Sequence, residues 1–239
     1  MPDGTASDPV LLITGASSGI GAATARAAAK THRLVLAARR LEPLEELVEE
    51  LGGAERAIAV RCDVTEWDQV EALTTAALEA FGRIDVVFAN AGFGATRGFL
   101  EESPEHWRSM VLTNVYGLAL TIRATLPHLL ERGDGHFIVT SSVAGRQALP
   151  GSLYSATKWA ATAIGESLLG ELRQMHENHA IKVTLIEPGM VDTPFFDNRP
   201  GKWALQDDDV ARAVIYALEQ PANVDINEIL IRPTGTPAD

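Results

Sequence analysis

Short runs rich in valine, isoleucine and leucine alternate with longer segments of helical periodicity along this chain. The apolar runs fall at residues 10–14, 34–38, 57–61, 84–89, 136–141, 182–186 and 228–231. Most are continuously apolar rather than alternating, the pattern of parallel strands covered on both faces. Helical periodicity fills the intervals at 20–30, 41–51, 66–81, 104–130, 152–178 and 208–219. In the second of these the apolar stripe is Leu41, Leu44, Leu47, Val48 and Leu51, with glutamates opposite. Ser103 before Pro104 marks a helix start, a capping hydroxyl followed by a proline in the first turn. Strict strand–helix alternation predicts an α/β fold, a doubly wound parallel sheet of about seven strands with helices on both faces.

No linker, repeat or break in composition divides the chain, so the pattern predicts a single domain over 9–239 after a polar, disordered lead at 1–8. The longest irregular stretch, 193–206, contains Pro194, Pro200 and Gly201. It follows the C-terminal end of a strand, where ligands bind in such sheets, which makes it a candidate substrate lid. A plain surface loop fits the same pattern.

Composition narrows the function by exclusion. The 239 residues are 46% hydrophobic and 22% charged, as in an ordinary soluble protein. A net charge of −12 argues against nucleic acid as a partner, because a phosphate backbone calls for a basic face. No run approaches the roughly 20 apolar residues that span a bilayer, so no membrane partner is expected. The N-terminus lacks the basic start and apolar core of a signal peptide. Cys62 is the single cysteine, which excludes an intramolecular disulfide and points to a cytoplasmic setting. As a small apolar residue at a strand end it needs no further role.

Two motifs carry chemistry. The first strand runs into Gly15-Ala16-Ser17-Ser18-Gly19-Ile20-Gly21, with a helical segment following at once. Glycines there permit a tight turn and close backbone approach to a pyrophosphate, whose charge meets the free N–H groups of the helix start. This is a Rossmann-type phosphate turn, although its G-x-x-x-G-x-G spacing differs from the common fingerprint. At the end of the second strand Ala38 stands where an NAD site wants a carboxylate, and Arg39 and Arg40 follow. A guanidinium matches a 2′-phosphate, so this end favours NADP(H) over NAD(H). The second motif is Tyr154 and Lys158, one helical turn apart and therefore on one face. A fixed ammonium favours the phenolate, a route to a tyrosine that works as acid or base.

Together with Cys62-Asp63-Val64, Asn90-Ala91-Gly92, Asn114, Ser142-Val143-Ala144-Gly145 and Pro188-Gly189, these motifs make the chain resemble the short-chain dehydrogenase/reductases, in their compact single-domain branch. The resemblance runs from Thr14 to the C-terminal strand. It implies an oxidoreductase that moves hydride between NADP(H) and a secondary alcohol or carbonyl. In that scheme Tyr154 exchanges the proton with the substrate oxygen, Ser142 holds that oxygen, and Lys158 lowers the Tyr154 pKa and binds ribose hydroxyls. Asn114 fixes a relay water beside Lys158. The resemblance also implies that Asp63 meets the adenine, with Val64 packed nearby, and that Asn90, Ala91 and Gly92 line the fourth strand's end. Pro188, Gly189, Val191 and Thr193 would hold the nicotinamide.

The chain departs from the family pattern in two places. Ser142 and Tyr154 are twelve residues apart, one fewer than the family spacing, so counting back from Tyr154 reaches Ser141 instead. Successive strand side chains face opposite ways, so one of the two serines faces the site. Counting from the strand end and a shortened loop at 150–153 favours Ser142. The stretch after Pro188 is also short for a helical lid, leaving Phe93, Met190, Phe195, Phe196 and Trp203 as candidate walls of an apolar pocket, or simply as core.

The segments 145–146 and 228–234 look most like relatives that act as hydroxy-acid dehydrogenases or broad carbonyl reductases. A silent NADP-sensing or scaffolding protein of the same fold is the rival reading, and an extended sugar epimerase needs a larger C-terminal region. Relatives pair two long helices across a four-helix interface, which implies a homodimer or homotetramer here. Ala160, Ala161, Ile164, Leu168 and Leu169 are the apolar candidates for that contact.

Overall fold

Seven parallel strands form one sheet in the order β3-β2-β1-β4-β5-β6-β7 in the computed structural model, which describes residues 8–94, 98–151, 153–194, 200 and 203–235. The strands are β1 Val10–Thr14, β2 Arg33–Ala38, β3 Ala57–Arg61, β4 Val86–Ala89, β5 Gly135–Thr140, β6 Ile181–Pro188 and β7 Glu228–Ile231. The helices are α1 Gly19–Ala28, α2 Glu42–Glu50, α3 Trp67–Phe81, α4 Pro104–Val111, α5 Leu118–Arg132, α6 Leu153–Gln174 and α7 Asp207–Leu218. The fold is the single-domain doubly wound sheet that the strand–helix alternation predicts.

Continuous apolar runs are needed because each strand feeds two cores. In β1, Val10 and Leu12 join one core with α3, α5 and α6, whereas Leu11 and Ile13 join the other with α1, α2 and α7. All four are fully buried. The edge strands β3 and β7 are less covered, and Leu230 of β7 is exposed.

Most boundaries shift by a residue or two from the periodicity, and three differences have a clear physical cause. Strand β4 begins at Val86 rather than at residue 84, because Asp85 turns its carboxylate to the backbone N–H of Val10 at 2.8 Å and to arginines. Helix α6 ends at Gln174, and Asn178 instead closes the turn into β6 by accepting from Ala180 and Ile181, each at 2.9 Å. The segment expected as one helix over 104–130 is interrupted by a π-helical stretch, Leu112–Gly117, that carries Asn114. Such bulges often mark functional sites and leave the apolar periodicity on either side intact, which hides them from pattern reading.

The sheet order reverses between β1 and β4, which run side by side and then depart in opposite directions. A crevice opens at that switch point, beyond the C-terminal ends of the strands. Among the described residues no helix is long and apolar enough to cross a membrane.

Candidate functional site

The glycine turn lies at the mouth of the crevice. Gly15 and Gly19 adopt φ of 69° and 54°, left-handed values that favour glycine. A Cβ on Gly15 would come within 2.9 Å of the Ala91 backbone, and one on Gly21 within 2.4 Å of the Gly15 carbonyl. Ser17 and Ser18 are half-buried in the turn. Ser18 enters α1 extended, without bonding its side chain to the helix, and the first turn of α1 has no acidic residue. Among the described residues, Ser18 thus gives the leading N–H groups, including those of Ile20 and Gly21, no side-chain cap, the environment an anion takes at a helix start. Thr193 lies over the turn, 3.3 Å from where a Gly19 Cβ would be, and Val191 reaches back to bridge Leu205.

The end of β2 is held against this turn by a bond from the Ala16 N–H to the Ala37 carbonyl at 3.1 Å. Arg39 and Arg40 follow, both exposed. Asp63 accepts from the N–H and hydroxyl of Thr65 at 3.0 and 2.9 Å, and Val64 packs on Gly117. Cys62 is buried and its thiol is pushed up to about 12, chiefly by burial, which leaves it unreactive.

Asn90 ties three strands together. Its amide donates to the Thr14 carbonyl at 3.2 Å and to that of Gly15 at 3.4 Å, while its carbonyl accepts from the Thr140 hydroxyl at 3.0 Å. The Thr14 hydroxyl in turn accepts from the N–H groups of Asn90 and Ala91, at 3.1 and 3.2 Å. Gly92 has room for no side chain on one flank, where a Cβ would stand 3.0 Å from Asn114 Oδ1 and 3.8 Å from Lys158 Nζ. The Asn114 amide is engaged at both ends. It accepts from Phe93 N–H at 3.0 Å and donates to the Phe93 carbonyl at 2.9 Å and the Thr157 hydroxyl at 3.0 Å. It therefore joins the loop after β4 to α6.

Ser142, Tyr154 and Lys158 converge at the end of β5. The Tyr154 hydroxyl hydrogen-bonds the Ser142 side chain. Ser142 also accepts from Ala144 N–H at 3.1 Å and donates to the Pro188 carbonyl at 3.3 Å. Burial pushes the Tyr154 phenol well above its ordinary value, and the bond to Ser142 opposes that rise. Lys158 lies 5.7 Å from the Tyr154 ring centroid and donates to the Thr140 carbonyl at 2.8 Å. Burial lowers its pKa to about 8. Ser141 points the other way, donating to the Lys158 carbonyl at 3.1 Å and meeting the Thr162 hydroxyl at 2.7 Å. Of the two serines, Ser142 is the one beside Tyr154.

Sequence patterns passed over Thr14, Thr140 and Thr157, whose hydroxyls or carbonyls hold the named residues in place. Polar residues closing apolar strands were the signal for the first two. Of the candidate pocket walls, Phe93 stacks edge-on with His106 at 5.3 Å, and Met190 and Trp203 are half-buried. Phe195 and Phe196 lie outside the described residues, as does half of the candidate lid, and Gly189 donates to the Ile231 carbonyl at 2.7 Å. Ala161 and Leu168 are consumed by the core, and Ile164 and Leu169 pack partly against it, so these residues offer less surface for a partner than the apolar pattern suggests. Trp159, Tyr116 and Val111 are the large apolar side chains left exposed on α6, the π-helical stretch and α4.

The family model described as short chain dehydrogenase matches residues 9–202. An uncharacterised oxidoreductase of Listeria monocytogenes is 36% identical over 248 residues, covering 98% of this chain and 99% of its own. Among solved structures, an alcohol dehydrogenase of the archaeon Thermococcus sibiricus complexed with 5-hydroxy-NADP is 34% identical with a TM-score of 0.86, covering 98% of this chain and 100% of that one. A serine dehydrogenase in its closed form with NADP+ is 30% identical with a TM-score of 0.87, over 96% and 99% of the two chains. The chain belongs to the short-chain dehydrogenase/reductase family and is an oxidoreductase of that family.

Proposed function

We propose that this short-chain dehydrogenase transfers hydride between NADP(H) and a secondary alcohol or carbonyl substrate, with Tyr154 as the general acid and base. The observation that carries the proposal is the hydrogen bond between Tyr154 and Ser142, with the Lys158 ammonium 5.7 Å from the ring. The similar structures that bind NADP derivatives support the choice of cofactor, as do Arg39 and Arg40 beyond a β2 end without a carboxylate.

The chain fits that cofactor along its length. The uncapped start of α1, with Ser17, Ser18, Gly19, Ile20 and Gly21, takes the pyrophosphate, and Arg39 pairs with the 2′-phosphate. Asp63 and Val64 face the adenine, Asn90 to Gly92 line the middle, and Pro188, Gly189, Val191 and Thr193 orient the nicotinamide. When bound, the nicotinamide supplies or accepts the hydride.

The protein handles the proton and the developing charge. Ser142 and the Tyr154 hydroxyl grip the substrate oxygen from two directions. In reduction, Tyr154 gives its proton to that oxygen as charge builds on it. A phenol is protonated at neutral pH and burial keeps it so, which leaves Tyr154 ready as an acid there. Oxidation needs the phenolate and gains rate as pH rises. Lys158, whose pKa burial lowers to about 8, favours the phenolate while it is charged and would donate to the ribose hydroxyls. Asn114 secures the Phe93 loop and α6 around this relay.

The likeness to a serine dehydrogenase supports small hydroxy acids and their keto counterparts among the substrates. We place the enzyme in a homodimer or homotetramer built on the faces bearing Trp159 and Tyr116. A panel of ketones, aldehydes and keto acids, read by loss of NADPH absorbance, tests the activity. Turnover with at least one class is expected; tight NADPH binding with no turnover across the panel would favour a cofactor sensor instead.

A further inference from the structure

Behind Ser142 lies an ion pair that the proton relay does not use. Arg146 closes the short helical turn Val143–Gly145 that follows Ser142. Its Nε donates to both carboxylate oxygens of Glu187, at 2.8 and 3.0 Å. Its other nitrogens approach Glu228 at 2.6 Å and Glu166 at 3.7 Å. The Glu187 side chain is only 1% exposed and stands at the end of an otherwise apolar strand face. Burial pushes its carboxyl up, and the Arg146 bonds oppose that.

The location of the pair gives it more than a stabilising role. Glu187 immediately precedes Pro188, whose carbonyl accepts from Ser142 at 3.3 Å. Glu187 also accepts from the Thr162 hydroxyl at 3.4 Å, and Thr162 meets Ser141 at 2.7 Å, one helical turn from Lys158. Gly145 allows the serine turn to sit against α6 there, since a Cβ would come within 2.7 Å of the Lys158 carbonyl and 2.8 Å of the Thr162 hydroxyl. Three segments thus meet at one carboxylate: the serine turn, the lysine helix and the strand leading into Pro188-Gly189. A well-packed apolar pair would satisfy stability at least as well as a buried ion pair. A planar guanidinium whose Nε is shared by both Glu187 oxygens while its other nitrogens reach Glu228 and Glu166 fixes distance and angle, which apolar contacts do not.

We propose that Arg146 and Glu187 are positioning residues, a strap that sets the serine turn and the Pro188-Gly189 loop at a fixed spacing for hydride transfer. The strap rests on the function proposed above. Its test compares Arg146→Met, the double variant Arg146→Met/Glu187→Gln, and Arg146→Lys with the unaltered protein. Calorimetry gives affinities for NADP+ and for 2′-phospho-ADP-ribose, which lacks the nicotinamide, while melting and turnover are followed in parallel.

Arg146→Met leaves Glu187 buried and unpaired and should melt well below the parent protein. The double variant should recover most of that melting temperature yet stay about tenfold or more down in turnover. In it and in Arg146→Lys, which keeps a charge beside Glu187, NADP+ binding should weaken while 2′-phospho-ADP-ribose binding holds. Parent-like turnover and an unchanged preference between the two ligands, in either folded variant, would overturn the strap alone. A parent protein that binds neither ligand would overturn the cofactor reading and the strap together.

Discussion

The two ends of the sheet solve the problem of buried polar groups in opposite ways. At the N-terminal end, Asp85 accepts from Val10 N–H and from Arg83, each at 2.8 Å, and pairs with Arg132 at 2.9 Å, so that β1, β4 and α5 close on one satisfied carboxylate. His136 beside it is buried with its ring bonded to Thr184 at 2.7 Å, and burial lowers its pKa to about 3, keeping it neutral. At the C-terminal end, Lys158 is buried with one backbone carbonyl as its partner, 2.8 Å away, and α1 begins without a side-chain cap. Helix α7 shows that the chain can cap a helix with side chains: Asp209 accepts from the Gln206 N–H at 2.7 Å, with Asp207 and Asp208 also in its first turn. One end spends its polar groups on each other. The other leaves them less satisfied, the arrangement expected where function is traded against stability.

Substitutions at the two ends should therefore separate activity from stability. The largest effect is expected for Lys158→Met, with turnover falling by about a thousandfold. The same change should raise the melting temperature of the cofactor-free protein at pH 7. The unfolded chain holds the Lys158 proton up to pH 10.5 and the folded one only to about 8, so the native penalty is full below pH 8 and fades towards 10.5. The gap between the two melting temperatures should narrow over that window. Equal melting temperatures across it would remove the strain from the account.

Asp85→Ala should do the reverse, lowering stability by about 3 kcal/mol while turnover of the folded protein stays unchanged. Denaturant unfolding beside steady-state kinetics reads both, and a matching loss of turnover would erase the distinction between the ends. Arg39→Ala sharpens the comparison at smaller scale. It should weaken NADPH by about tenfold, the worth of one charged hydrogen bond, and leave NADH untouched. A change that weakens both cofactors alike would place Arg39 away from the 2′-phosphate.

The fold was legible because a short apolar run covered on two faces reads as an inner parallel strand, and the five inner strands needed little more than that. What escaped the pattern was geometry that leaves periodicity unchanged. The π-helical stretch around Asn114 shifts the backbone while apolar residues continue on both sides. The Ser141 and Ser142 ambiguity was a question of which face of β5 each side chain takes, and the hydrogen bonds of both serines show that only after folding. Arg146 and Glu187 are 41 residues apart, and no spacing relates them until the sheet brings β6 beside the serine turn. Local motifs disclosed the groups proposed to touch a ligand; the groups that hold those in place are scattered, and no spacing rule finds them.

The central claim is that the C-terminal end of the sheet delivers a proton through Tyr154 to an oxygen held by Ser142. Tyr154→Phe removes one hydroxyl and preserves the ring, so it tests that claim with the least disturbance. With NADPH binding and turnover measured on the same preparation, the variant should bind NADPH within about twofold of the parent and turn over about a thousandfold more slowly. A variant that binds NADPH as well and keeps most of its turnover would contradict the assignment.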